Sequence, residues 1–188
     1  SVGVNTMLAA AAGALISTVT IWMKSGKPDL AMIGNGALAG LVAITAPCGA
    51  VGPISSVIIG GVGGLLVVFS VLFFDKVRID DPVGAISVHG VVGIWGTLSI
   101  GLFAQYDDAF LGREDAGLFF GGGLDQLGMQ AVMVIIIALW VAITTGILFA
   151  ILKATIGLRV SAEEETQGLD VLEHGLAGYT GDSVTTTS

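Results

Sequence analysis

One ionisable side chain, His89, stands inside a stretch of the sequence that is otherwise uncharged. The stretch runs from Pro82 to Ala104 and directly follows two carboxylates, Asp80 and Asp81. An imidazole removed from water favours its neutral form, in which one ring nitrogen donates a hydrogen bond and the other accepts one. Such a ring can accept a hydrogen bond or a proton from a small molecule that carries N–H groups, whereas a metal cation has neither to give. His89 is therefore the first candidate for function.

The residues before His89 specify the start of a helix. Asp81 can accept hydrogen bonds from the free N–H groups of the first turn, Pro82 suits the first helical position, and the carboxylates of Asp80 and Asp81 favour the positive end of a helix. A helix over residues 82–104 would be about 34 Å long, and the hydrocarbon core of a bilayer is about 30 Å thick. The stretch is thus predicted to cross a membrane.

Small residues are predicted to flank His89 and to leave room beside its ring. The residues at helical spacing from it are Ala85, Ile86, Val92, Gly93 and Gly96. Of these, Ala85, Gly93 and Gly96 are the predicted packing positions next to a pore. A polar side chain within a membrane span favours a functional role. The alternative is that His89 only forms a hydrogen bond to a neighbouring helix.

The composition predicts an integral membrane protein. Of the 188 residues, 54% are hydrophobic and 12% charged, and the mean hydropathy is +0.92, which is too apolar for one small soluble core. One cysteine, Cys48, and two histidines predict neither an internal disulfide nor a metal site, and we expect no cofactor. The net charge of −8, without a basic patch, predicts no nucleic-acid partner. No nucleophile with a base and no phosphate-binding loop is evident, so we expect no enzyme.

Hydropathy predicts five membrane spans and a tail. The spans are predicted over residues 4–23, 30–51, 53–74, 82–104 and 127–153, which together form an all-α membrane domain over 1–158. Residues 159–188 form the predicted tail. In the tail, Ser161 and Glu164 fit a capping box at the start of a short helix, and Gly168 is placed to end that helix.

Two further features predict how the spans pack. Glycines four residues apart put small residues on one helix face and permit close crossing. The second and third spans each carry such a pair, namely Gly36 with Gly40 and Gly60 with Gly64. Near the start of the first span, Asn5 is predicted to bridge helices.

The basic residues predict the orientation of the chain. Six of the seven lie in segments on one side of the predicted spans, namely Lys24, Lys27, Lys76, Arg78, Lys153 and Arg159. Only Arg113 lies on the opposite side, in an acidic loop. Because basic residues accumulate on the cytoplasmic side, the N-terminus is predicted outside and the tail in the cytoplasm.

The segment DDPVGAISVHGVVGIWG, residues 80–96, closely resembles the ammonium transporter (Amt/Rh) family. The Asp-Asp-Pro start, the His-Gly pair and the glycine spacing carry the resemblance. It continues in VNT (4–6), GKP (26–28), NGALAGLVAIT (35–45), FFDKVRIDDP (73–82) and GLRVSAEEETQGLDVLEHG (157–175). The family fold has eleven spans, built from two five-span repeats of opposite orientation and a last long helix. The chain resembles spans seven to eleven and the tail, which is the C-terminal half of this inverted-repeat transporter.

The resemblance implies a multi-pass protein of the plasma membrane that moves ammonium or ammonia as a homotrimer and serves nitrogen metabolism. It implies that His89 is the second of two pore histidines that face each other in the channel. It also implies a regulatory tail that packs against neighbouring subunits and often responds to a PII-type signal protein. The best matches in this tail are Gly168, Asp170, His174 and Gly175.

The first pore histidine, the aromatic gate and the external cation site of the family lie in the N-terminal half, which has no counterpart in this sequence. This chain alone is therefore not expected to conduct. Two alternatives remain open. One is an ammonium sensor that signals through the cytoplasmic tail, which an output domain after the tail would favour. The other is a non-conducting fragment, against which the intact DDPVGAISVHG segment argues.

Overall fold

The computed structural model describes residues 1–105, 116–176 and 178, and all the secondary structure within them is helical. The helices are α1 (Val2–Ser25), α2 (Leu30–Thr45), α3 (Pro53–Lys76), a π-helical segment (Ile86–Val91) that continues into α4 (Val92–Phe103), a 3-10 turn (Leu118–Phe120), α5 (Asp125–Thr155), α6 (Ala162–Gln167) and α7 (Leu169–His174). The chain divides into two compact units, Ser1–Ile137 and Ala138–Ser188. Arg113, on which the predicted orientation partly depends, lies outside the described residues.

Four helices in the described residues are long and apolar enough to cross a membrane, where five spans were predicted. They are α1, α3, the π segment with α4, and α5. The difference lies in α2, which was predicted to extend over residues 30–51 but ends at Thr45 after 16 residues. Pro47 has no N–H group to donate to the carbonyl of Ala43, so the helical hydrogen-bond ladder stops and the chain turns over residues 46–50.

Glycines allow the backbones of α1, α2 and α3 to approach one another closely. A Cβ atom added at Gly36, Gly40, Gly60 or Gly64 would overlap atoms of α1. Close approach of this kind lets helix backbones pack directly against each other, which side chains of ordinary size prevent. The predicted packing role of both glycine pairs is confirmed. The three helices form the scaffold against which the π segment and α4 pack.

Two side chains, the buried Asn5 and the half-buried Trp95, connect separate helices through hydrogen bonds to the backbone. Asn5 Nδ2 donates to the carbonyls of Cys48, at 2.9 Å, and Val51, at 2.8 Å, in the turn between α2 and α3. Trp95 Nε1 in α4 donates to the carbonyl of Ile59 in α3 at 3.0 Å. The predicted bridging role of Asn5 is confirmed, and Trp95 fixes α4 against α3.

Replacing Trp95 with phenylalanine should lower the free energy of unfolding by about 1 kcal/mol, because one half-buried hydrogen bond is lost while an aromatic ring remains. The matched control is Trp140→Phe in α5, because Trp140 is 68% exposed and no comparable loss is expected there. Thermal unfolding in detergent compares the two variants. Equal midpoints for Trp95→Phe and Trp140→Phe would contradict this role of Trp95.

The unit Ala138–Ser188 contains the end of α5 and both tail helices. Ser161 Oγ accepts a hydrogen bond from the N–H of Glu164 at 3.2 Å, and Glu164 Oε2 accepts one from the N–H of Ser161 at 2.8 Å. The α6 helix begins at this reciprocal pair and stops before Gly168, whose φ of 95° interrupts the helix. The predicted capping box and the predicted end of the helix are both confirmed.

Candidate functional site

His89 lies in the six-residue π segment, in which the backbone closes a wider turn than in an α-helix. The N–H of Val92 donates to the carbonyl of Ser87, five residues earlier. Single π turns within α-helices occur frequently at functional sites. The side chain of His89 is exposed on the surface of this chain, and in the part that the structure describes its ring forms no hydrogen bond or ion pair. The imidazole is thus available to a ligand or to another protein segment.

A hydrogen-bonded carboxylate fixes the start of this helix. Asp81 Oδ1 accepts from the N–H of Ile86 at 2.9 Å, and Oδ2 accepts from the N–H of Ser87 at 3.1 Å and from the Ser87 hydroxyl at 2.9 Å. Burial by itself raises the pKa of the Asp81 carboxyl, but the hydrogen bonds from Ile86 and Ser87 together lower this pKa below its ordinary value of 3.8. Asp81 is therefore ionised at neutral pH and stabilises the first turn.

The helix begins at the π segment, several residues after the predicted start at Pro82. The N–H of Gly84 donates to the carbonyl of Asp81 at 3.0 Å, and Gly84 has a φ of 73°. A turn therefore separates Pro82 from the helix, so Pro82 does not occupy the first helical position predicted for it. Asp80 is exposed and makes no hydrogen bond to the described backbone, so of the two predicted capping carboxylates only Asp81 binds the first helical turn.

Gly84 brings the turn against α2. A Cβ atom at Gly84 would lie 2.6 Å from Nδ2 of Asn35. The left-handed backbone at Gly84 would strain any other residue, so glycine suits this position. Neither Ser87 nor Asn35 was predicted to belong to the site. The pattern Pro-Val-Gly after two aspartates is a turn signal that could have revealed the late start of the helix.

The residues predicted to flank His89 separate into two groups. Ala85 is exposed, as are Ile86, Gly90 and Ile94, so these residues form an uncovered face on the side of His89. Gly96 instead packs against α2, where a Cβ atom would lie 2.8 Å from the carbonyl oxygen of Ala43. Gly93 also faces α2, since a Cβ atom added at Gly93 would lie 3.9 Å from Cγ1 of Val42, an ordinary contact distance. The 3.6-residue spacing used in the prediction does not hold across a π turn, which takes more residues.

The tail residues singled out from the sequence lie at the ends of α6 and α7. Gly168 separates the two helices, His174 is the last residue of α7, and Gly175 follows with a φ of 69°. Asp170 Oδ2 accepts a hydrogen bond from the N–H of Gly178 at 2.7 Å. The described residues contain no group of three or more His, Cys, Asp or Glu side chains that could hold a metal ion.

Low pH should weaken the hydrogen bonds that Asp81 accepts from the start of the helix. Because the folded-state pKa of Asp81 lies below 3.8, its contribution to stability is complete at pH values above 3.8 and is lost as the pH falls through the lower folded-state value. We expect the Asp81 contribution to be constant between about pH 5 and 8. Thermal unfolding of the native protein and of Asp81→Asn checks this, since the difference between them should shrink only below about pH 4. A difference that changes between pH 6 and 8 would contradict it.

Comparison with known proteins gives a consistent result. The model of the Ammonium Transporter Family matches residues 1–179. Ammonium transporter Amt2 of Archaeoglobus fulgidus is 44% identical over 178 residues, which are 93% of this chain and 38% of that protein. Ammonium transporter 1 member 1 of Arabidopsis thaliana is 38% identical over 181 residues, which are 94% of this chain and 36% of that protein. The chain thus spans less than two fifths of the length of these relatives.

Solved structures resemble the chain over a similar share of their length. A structure described as a Sensor Amt Protein has a TM-score of 0.81 and 37% identity, with 92% of this chain and 41% of that chain covered. The crystal structure of Mep2 from Candida albicans has a TM-score of 0.74 and 33% identity, with 87% of this chain and 37% of that chain covered. Both likenesses extend to the helical arrangement as well as to the sequence.

Proposed function

The chain belongs to the ammonium transporter family, and we propose on this basis that it forms one half of a pathway that carries ammonium or ammonia across the membrane. The observation that carries this proposal is the exposed imidazole of His89 on an otherwise apolar face of a membrane-spanning helix. Polar groups at membrane depth are costly unless they serve a ligand or a partner. A neutral imidazole can accept a hydrogen bond or a proton from the permeant, which potassium cannot provide.

A second protein segment completes the pathway in this proposal. The face around His89 leaves Ile86 42% and Ile94 45% exposed, and one chain of this length provides only one side of a pore. The part of the relatives that lies outside the match is the natural candidate for the other side. We call the assembly that contains both parts the complete transporter, whether it is one polypeptide or two. In this proposal the chain supplies the C-terminal half of an inverted-repeat transporter, and the transporter assembles as a homotrimer.

The mass of the native protein in mild detergent tests the partner segment. A polypeptide more than twice as long as this chain, or a tightly bound second chain, supports it. A preparation that contains only the 19.0 kDa chain contradicts it. The same measurement gives the number of copies and so tests the trimer.

Charge supports an orientation with the tail in the cytoplasm. Lys24 Nζ lies 5.0 Å from the centroid of the Phe69 ring, which brings the C-terminal ends of α1 and α3 together. Lys27, Lys76 and Arg78 follow at or after these helix ends. Because basic residues accumulate on the cytoplasmic side, this end of the unit faces the cytoplasm in the proposed topology.

Uptake measurements on the complete transporter test the role of His89. We expect His89→Ala to lower uptake of labelled methylammonium strongly while expression and assembly are retained. Ile94→Ala is the matched control, because it removes bulk from the same exposed face without removing a polar group. Unchanged uptake and selectivity in His89→Ala would overturn the role of His89 in transport.

A sensor is the second candidate function. The likeness to a structure described as a Sensor Amt Protein favours it, and the ordered helices α6 and α7 provide a segment that could respond to a signal protein of the PII type. If the protein is a sensor, ammonium changes the protection of residues 161–176 against hydrogen exchange, and no flux of ammonium across the membrane is measurable. Flux without any such change would favour the transporter.

A further inference from the structure

We infer that Ser87 is a positioning residue for His89, because it ties the π turn that carries the imidazole to the carboxylate of Asp81. The inference rests on the proposed function of His89 and adds a residue to it. Ser87 and His89 are two residues apart within the six-residue π segment. A change in how Ser87 is held therefore changes the direction in which His89 projects.

The hydrogen bonds of Ser87 are unusual for this helix. Thr97 Oγ1 donates to the carbonyl of Gly93 at 3.1 Å, and Ser99 Oγ donates to the carbonyl of Gly96 at 2.7 Å. Both hydroxyls thus bond to the backbone of their own helix, three or four residues earlier. Such bonds are the usual choice for hydroxyls within helices. Ser87 Oγ instead donates to Asp81 Oδ2 at 2.9 Å, outside the helix. Its hydroxyl thus anchors the helix to the preceding turn.

Burial makes this anchor strong. Ser87 is fully buried and Asp81 is only 8% exposed. The Ser87 N–H donates to the same carboxylate oxygen as the hydroxyl, so one oxygen holds both the backbone and the side chain of this residue. Hydrogen bonds to an ionised group are stronger than those between neutral groups. Removal of the hydroxyl would leave part of this buried charge without a partner.

The anchor also explains why the turn is wider than an α-helical turn. A π turn is rarer than the α-helical continuation and needs a local cause. Here the N–H groups of Ile86 and Ser87 are directed to the two oxygens of Asp81, and the Ser87 carbonyl then accepts from Val92, five residues later. Gly84 lies close to the Asn35 side chain in the turn before the helix. The whole arrangement orients the segment in which His89 lies.

The test uses the complete transporter with the variants Ser87→Ala and Ser99→Ala. Ser99→Ala is the matched control. Ser99 is also fully buried on the same helix, and its hydroxyl forms a hydrogen bond only within that helix. Two quantities are measured: the side-chain resonances of His89 with ¹⁵N-labelled histidine, and the uptake of methylammonium. His89→Ala identifies the His89 signals, because the signals that disappear in this variant belong to His89.

We expect Ser87→Ala to shift the His89 resonances and to lower uptake on the order of tenfold, as small misplacements of a reacting group do, while Ser99→Ala does neither. Unshifted His89 resonances in Ser87→Ala would overturn the inference. So would normal uptake by Ser87→Ala when His89→Ala abolishes it. If His89→Ala itself transports normally, the proposed function fails, and the resonances still decide whether Ser87 positions His89. If Ser87→Ala does not accumulate in the membrane, Ser87→Cys replaces it, because a thiol is of similar size but a weaker donor. We expect Ser87→Cys to shift the His89 resonances by a smaller amount, and unshifted resonances would overturn the inference.

Discussion

Replacing Gly64 with alanine is expected to prevent the packing of α1 against α3 and to lower the yield of folded protein severely. An added Cβ atom at Gly64 would overlap the carbonyl oxygen of Gly13 and would lie 2.8 Å from the Cα atom of Gly13. Both contacts involve backbone, which cannot rotate away as a flexible side chain can. Overpacking typically costs about 1–3 kcal/mol, and more where nothing can move aside, which is a large part of a total stability of about 5–15 kcal/mol.

Gly34→Ala in α2 is the control for this prediction. No atom lies within 4 Å of a Cβ atom added at Gly34, and its helical backbone accommodates alanine, which favours helix over glycine by up to about 1 kcal/mol. The two variants are compared by size-exclusion chromatography and thermal unfolding in detergent. Equal yield and equal midpoints would contradict the close packing of α1 and α3.

The second large effect concerns transport by this chain alone. Residues 1–188 expressed by themselves should insert into the membrane but give no methylammonium uptake above background, whereas the complete transporter gives uptake. The reason is the uncovered face around His89, since a permeation path needs protein on all sides to replace the hydration of the permeant. Uptake is measured in cells that lack their own ammonium uptake.

Equal membrane levels of the two proteins, checked by immunoblot, are the control for this comparison. Uptake by residues 1–188 at a rate comparable to that of the complete transporter would contradict the need for a second segment. It would also mean that copies of this chain can cover the face of His89 for one another.

Much of the fold follows from local patterns in the sequence. Hydropathy predicts the long apolar helices because nearly every residue within them contacts lipid or other apolar side chains. The spacing of Gly60 and Gly64 predicts close helix packing, since residues four apart share a helix face. The pair Ser161 and Glu164 predicts the start of α6, because the capping box depends only on residues that are close in sequence.

The start of the helix that carries His89 was predicted too early. Two aspartates before Pro82 indicate a helix that begins at once, yet Gly84 adopts a φ of 73° and delays the start. The helix then begins with a π turn over Ile86–Val91, which a 3.6-residue spacing does not describe. For this reason Gly96 was predicted next to His89 but lies against α2.

The flux of ammonium relative to potassium, in proteoliposomes that contain the complete transporter or its His89→Ala variant, tests the role of His89 in the pathway most directly. If His89 lines the pathway and accepts a hydrogen bond or a proton from the permeant, the native protein carries ammonium and excludes potassium, and the variant loses ammonium flux or this discrimination. The same ammonium flux and the same exclusion of potassium in both proteins would contradict this role of His89.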